Sequence, residues 1–348
     1  EALPEGGTLT INTGKSQIGG TSDPDALNLD AGFVSRGGFA SFRLTGRDGV
    51  TVADGVSLAP VQQTLELQPG FSLQASGSPV ETFSTQVVLE PRLRKPVDLS
   101  LSADSDTLGD VRIGEGARIV LDDMAALTIN AAHRIDIQGE ISAHGGAIAA
   151  TLNRSTNQPF DPASTLWLGD QAVLDVSGAA RTYTDSRGLT QGEVLAGGTV
   201  KLSAQIGYVV TEAGSVIDVS GAAPVRLDVR NEAGGLGRNV GSDAGSVSVV
   251  AREGALLDGT LAAQAGSANN RGGSFDLTLG DNATPSGPGH PTDPRVISLA
   301  NTVAAQATGL AAGDAIPGSL DGQAKLGAAT LEGAGFDRVA FSSRDAIR

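Results

Sequence analysis

The residues in this sequence best suited to chemistry are carboxylates. Asp122 and Asp123 form its adjacent aspartate pair, and Asp175 and Asp218 each open an identical Asp-Val-Ser-Gly-Ala-Ala phrase. Two carboxylates at a suitable separation can cleave a glycosidic bond, one acting as acid and the other as base or nucleophile. An outward aspartate on a strand has a plainer job: it solvates the strand and caps the following turn. No Gly-His-Gly and no cluster of Lys or Arg accompanies these four, so capping is the favoured reading and no catalytic residue is expected.

Other chemistry fares no better. His133, His144 and His290 have no second His, Asp or Glu at metal-ligand spacing on a predicted element, and surface or loop positions are expected for all three. There is no Gly-x-Ser-x-Gly elbow and no Walker A sequence. The chain has no cysteine, which excludes disulfides, thiolate catalysis and Cys-based metal centres. The stretch from Gly234 to Asn239 is faintly like a calcium nonapeptide. It occurs once, puts Asn239 where the Asp belongs and carries Arg238 where cations would gather. Such rolls need tandem copies to complete each site. No metal or cofactor is expected. One group suits recognition: Arg181, Tyr183, Asp185 and Arg187, in a long loop at 179–195, have the composition of a partner contact.

What must position these residues is a repeat. From Gly197 to Ala222 the chain alternates, with Val200, Leu202 and Ala204 opposite Lys201 and Ser203, then Ile217 and Val219 flanking Asp218. Alternation bounded by Gly and Ser marks short, half-buried strands. The unit opening at Gly198 recurs at Gly245 and at Gly273. With a coil of roughly 20–28 residues, the usual solenoid period, the 47 residues from Gly198 to Gly245 read as two coils and the next 28 as one. The 55 residues from Ile113 to Leu168 read as two coils, one lengthened by a loop. The pattern predicts an all-β, parallel β-helix over 1–348, a single continuous segment with loop insertions near 76–110, 153–163, 179–195, 231–243 and 280–295. The 280–295 loop is the least ordered candidate. Core strands are expected at Phe42/Leu44, Val50/Val52, Leu65/Leu67 and Phe71/Leu73. The core should be widest there, because five of the nine phenylalanines fall between Phe33 and Phe83. Residues 300–329 read either as a short helix around 303–310 or as further coils. The match of the Gly335 stretch to the Gly38 stretch implies one architecture from end to end.

Composition agrees. Aromatics make up 3% of the chain, suiting a thin core of Val, Ile, Leu and Ala, and no apolar run is long enough for a membrane span. A net charge of −15 with only four lysines repels nucleic acid and anionic membrane alike. The chain opens on Glu1 with no basic, apolar leader, and is read as the interior of a longer protein.

The Asp-Val-Ser-Gly-Ala phrases, Gly-Gly-Thr-Val-x-Leu at 197–202, Glu-Gly-Ala-Leu-Leu-Asp-Gly-Thr-Leu-x-Ala at 253–263 and the Arg187 to Gly198 stretch resemble the filamentous haemagglutinin-like exoproteins of two-partner secretion. The family's amino-terminal secretion motifs, such as Asn-Pro-Asn-Gly, are absent. The resemblance implies a right-handed parallel β-helix serving as the shaft or adhesive segment of a large bacterial exoprotein, secreted or displayed on the cell surface. It implies an outer-membrane transporter as export partner and a host-cell, matrix or polysaccharide receptor. The competing classes are a carbohydrate-active β-helix enzyme and an exoprotein binding haem, iron or a host protein.

Overall fold

Residues 6–230, 236–280 and 287–348 are described by a computed structural model. Their strands wind into a parallel β-helix with three strand-bearing sides. An eighteen-stranded sheet supplies two sides and a six-stranded sheet the third. Four consecutive coils show the plan. The strands Ala126–Ala131, Arg134–Ile137 and Glu140–Ser142 make one coil, and Ala147–Leu152, Thr165–Leu168 and Val173–Asp175 the next. Thr199–Ala204, Tyr208–Thr211 and Val216–Asp218 follow, then Ser246–Ala251, Gly254–Leu257 and Thr260–Ala262.

Each side stacks one apolar residue on the next. On the first, Phe42, Leu99, Leu127, Ile148, Val200, Val247 and Phe275 are successive partners, each no more than 1% exposed. Val50, Val111, Ile135, Leu166, Val209 and Ala255 form the second stack, and Leu58, Ile119, Ile141, Leu174 and Ile217 the third. Because side chains alternate across a strand, every second residue enters this core, and the backbone bonds go to the coils above and below. Ile217 and Val219 are buried around a half-buried Asp218, as the alternation predicts. The glycines of the repeat have a steric cause. A Cβ on Gly198 would overlap the carbonyl of Gly146, and one on Gly245 the carbonyl of Gly198, so the corner admits successive coils only as glycine.

Several expectations change. The 47 residues between Gly198 and Gly245 are one coil, because Val200 pairs directly with Val247. The surplus length makes an antiparallel hairpin of Val225–Arg230 and Leu236–Val240. The 55 residues from Ile113 to Leu168, by contrast, are two coils as expected, through Ile137. Leu65 and Leu67 lie outside the core, in a hairpin of Gln63–Leu67 and Ser84–Val88. Phe71 and Leu73 sit in a short 3-10 turn between those strands, and Leu73 is 87% exposed. Phe33 and Phe39 do pack edge-on against Phe42. The excursion expected at 76–110 runs instead from 59 to 97, and Asp98–Ala103 and Asp110–Ile113 are already rungs.

Residues 301–322 form neither the 303–310 helix nor further coils. They make a strap of turns across the outside of the second side, ending in Gln323–Gly327. That strand slots between Gly254–Leu257 and Val296–Ala300, out of chain order. A seven-residue helix, Ala328–Ala334, then leads to Phe336–Ser343, a rung of the first side like the start of its sequence match Ser41–Val52.

Candidate partner-contact edge

Every two-stranded hairpin leaves the stack from the same corner, between a third-side strand and the next first-side strand. The first spans 63–88, after Ser57–Leu58; the second is Ala180–Thr184 with Thr190–Val194, after Val173–Asp175. The third, at 225–240, follows Val216–Asp218. A row of projections therefore runs along one edge of the helix. The second and third dock side by side: the Thr190 N–H donates to Asp228 Oδ2 at 2.9 Å, and the Gln191 side-chain amide donates to the Asp228 carbonyl.

The predicted contact group lies on the second hairpin. Arg181 and Tyr183 share its inner face, while Asp185 and Arg187 pair with each other at its tip, 3.0 Å apart. Asp185 also accepts the Leu189 and Arg187 N–H groups, which hold its carboxyl below the usual range despite the cost of desolvation. Between this hairpin and the 90–92 segment lies a cleft of about 690 Å³, lined by Glu90, Pro91, Arg92, Asp123, Arg181, Tyr183 and neighbouring hairpin residues. The Arg92 guanidinium stands 4.8 Å from the centre of the Tyr183 ring, a cation–π contact, and Tyr183 remains 43% exposed. Arg181 bridges Asp123 at 3.1 Å and Glu193 at 3.3 Å. Tyr183 thus stays partly exposed while its arginine neighbours fix the walls.

The four aspartates weighed as a carboxylate pair against the capping reading are held in ion pairs and caps. Asp122 takes a two-pronged ion pair from Arg94, at 2.5 and 2.7 Å, and Asp123 is held by Arg181. Asp175 and Asp218 are register partners on adjacent coils. Each accepts the N–H two residues on, from Ser177 and Ser220, as capping requires.

Sequence reasoning missed two charged clusters. His133 is nearly buried, not a surface residue: its Nδ1 meets Asp110 at 2.7 Å and its Nε2 meets Asp161 at 2.9 Å. Only the doubly protonated ring can donate to both. The hydrogen bond to Asp110 chiefly raises its pKa, against burial and helped by Asp161. Burial works to raise Asp110 and Asp161, but His133, Arg134 and the Ala163 N–H outweigh it and hold both low. The cluster clasps the 153–164 insertion to the coil. His290, a half-buried loop residue as expected, joins a second cluster with Glu253 as the hub: Arg295 donates to Glu253, and Arg252 and His290 each lie 3.5 Å away. Burial pushes the Glu253 carboxyl up, against the pull of Arg295 and Arg252. His144 is half-buried, 3.7 Å from Asp175. The partners come from distant stretches, so no local spacing could have revealed either cluster.

A second depression, of about 330 Å³, lies on the outside of the second side, lined by Lys15, Asp48, Asp110, Arg112, Arg134, Asp136 and the wall of Trp167. Burial raises the Asp136 carboxyl, against its hydrogen bond from Gln138 and the nearby Arg112. Among the described residues no group of three or more His, Asp or Glu could hold a metal ion. The calcium-like stretch begins at Gly234, and residues 231–235 lie outside the described residues, as do 281–286 of the 280–295 loop. No helix among the described residues is long and apolar enough to cross a membrane. No protein-family model, curated protein or solved structure matches this chain.

Proposed function

We propose that this chain is the shaft and adhesive segment of a large bacterial exoprotein of the filamentous haemagglutinin-like kind, secreted or held at the cell surface. The observation that carries the reading is the row of hairpins leaving one corner of a continuous coil stack, with Arg181 and Tyr183 lining the cleft beside the second. A solenoid projects and spaces. Loops that leave it at one corner add a contact face without disturbing the core, because they interrupt no rung. The lack of cysteine suits a chain that crosses an outer-membrane transporter unfolded and then folds by stacking, with no disulfide to form early. The receptor class this edge serves is a host-cell, matrix or polysaccharide surface. The test is adhesion of the labelled protein to cultured cells, matrix proteins and a glycan array, beside a variant with 180–194 replaced by Gly-Gly. Adhesion lost in the variant, with the melting curve retained, is expected. Equal adhesion by both would overturn the assignment.

A carbohydrate-active enzyme is the second reading, and one observation favours it. In the outer depression burial pushes the Asp136 carboxyl up while His133 and Arg134 hold Asp110 down, the direction of difference that a general acid and a carboxylate base require. If that reading holds, Asp136→Asn abolishes a glycan-cleaving activity that the parent protein displays. Should the parent cleave nothing in an acidic-polysaccharide panel, the enzyme reading fails.

A further inference from the structure

We propose that the outer edge of strand Ala180–Thr184 takes up an extended basic peptide as a third strand of the second hairpin. The proposal rests on the adhesive reading of this edge and names the partner's chemistry. The hairpin's hydrogen-bond phase is set at both ends: the Asp185 N–H donates to the Leu189 carbonyl, and the Leu195 N–H to the Ala179 carbonyl. Bonded pairs alternate in an antiparallel ladder, so the pairs Arg181/Glu193 and Tyr183/Gln191 carry the internal bonds. Ala180, Thr182 and Thr184 therefore turn their N–H and C=O groups away from the hairpin.

The two edges of this hairpin differ. On the Thr190–Val194 side the outward N–H of Thr190 is taken by Asp228, and the third hairpin stands alongside. On the Ala180–Thr184 side no hydrogen bond reaches the backbone of Ala180, Thr182 or Thr184 from outside the hairpin among the described residues. All three residues are exposed. Five strand residues offer about 17 Å of template, and an unpaired sheet edge of this kind takes up an extended peptide through main-chain hydrogen bonds. The cleft beside the edge supplies selectivity. Pro91 and Tyr183 offer apolar surface, while Glu90, Asp123 and Glu193 outnumber Arg92 and Arg181 by one charge. The chain as a whole carries −15. An added strand with lysine or arginine at alternate positions fits both.

The experiment is fluorescence anisotropy at physiological salt with a labelled heptapeptide alternating lysine and valine. Strand addition uses one edge of the peptide. N-methylation of alternate amides in one register should abolish binding, and N-methylation in the other register should leave it. A glutamate–valine counterpart should not bind. In the protein, Thr182→Pro removes an outward N–H and should weaken binding by at least about tenfold, the equivalent of roughly 1.4 kcal/mol; amide exchange at Tyr183 and Gln191 reports whether the hairpin persists. Absence of binding, or equal loss in both methylation registers, overturns the proposal, and neither readout depends on a variant folding. The adhesive reading is tested separately. If the Gly-Gly variant loses adhesion while the peptides fail to bind, strand addition falls and adhesion stands. If the register signature appears while the Gly-Gly variant adheres normally, adhesion falls and strand addition stands.

Discussion

At the scale of single residues, a titratable side chain here does what its neighbours from other coils allow. His133 shows this most plainly. Its ring binds a proton more tightly in the folded chain because Asp110 and Asp161 face its two nitrogens, with Arg134 and Arg154 completing the cluster. A raised histidine stabilises the fold fully below about pH 6.5, its ordinary value, and the contribution is lost as pH rises through the folded value. Asp110 and Asp161 are lowered, so their contribution is present above about pH 4 and lost as pH falls through their folded values. The clasp on 153–164 should be tightest between those limits. Hydrogen exchange of the 153–164 amides against pH should show that plateau, and His133→Gln should remove its alkaline shoulder. An unchanged shoulder in the variant would mean that the histidine holds nothing.

At the scale of elements, the segments outside the coils divide into those that project and those that cover. The hairpins project. The strap at 301–322 covers: together with Phe160 it buries Trp167, Tyr208, Val210 and Leu256, which point outward from their strands. Trp167 donates to Glu212, the Tyr208 hydroxyl to Asp321 at 2.5 Å, and the Gln306 and Ala307 N–H groups to Asp258. Outward aromatics on a solenoid need such a cover, since exposed they would make an apolar patch. Trp167 is the single tryptophan and so reports on the strap. Ile316 is 3% exposed at the strap's inner face. Ile316→Asp should lift the strap, shifting the emission to the red while the strand signal in circular dichroism stays. If the emission does not move, the strap is not what buries the indole.

At the scale of the whole molecule, stability is a property of neighbouring coils. A lone coil leaves its outward backbone groups unpaired, so each rung depends on the next. Ile217 sits 2% exposed between Leu174 and Leu261 in the third stack. Ile217→Asp puts a charge into that stack and should cost more than about 3 kcal/mol, loosening the coils on both sides. Asp218→Ala loses one turn-capping bond to the Ser220 N–H, about 1 kcal/mol at most. Chemical denaturation with exchange mass spectrometry would separate the two. Comparable losses would show that the outward position carries more than a cap.

The sequence alone determined the parallel β-helix and its inner face, because period two and repeated glycine corners are local and must recur in every coil. It also placed an excursion at 179–195 carrying Arg181, Tyr183, Asp185 and Arg187, though not its pairing as a hairpin. Tertiary structure decided the rest. Coil count failed at Gly198 to Gly245, since an excursion adds length without adding a rung, and chain distance cannot tell the two apart. Leu65, Leu67, Phe71 and Leu73 alternate like core residues yet lie on a hairpin, because apolar alternation does not say which surface, if any, covers it. The clasp around His133 and the hub at Glu253 join residues tens of positions apart. Their ionisation depends on distances that exist only once the coils are stacked and the insertions folded back on them.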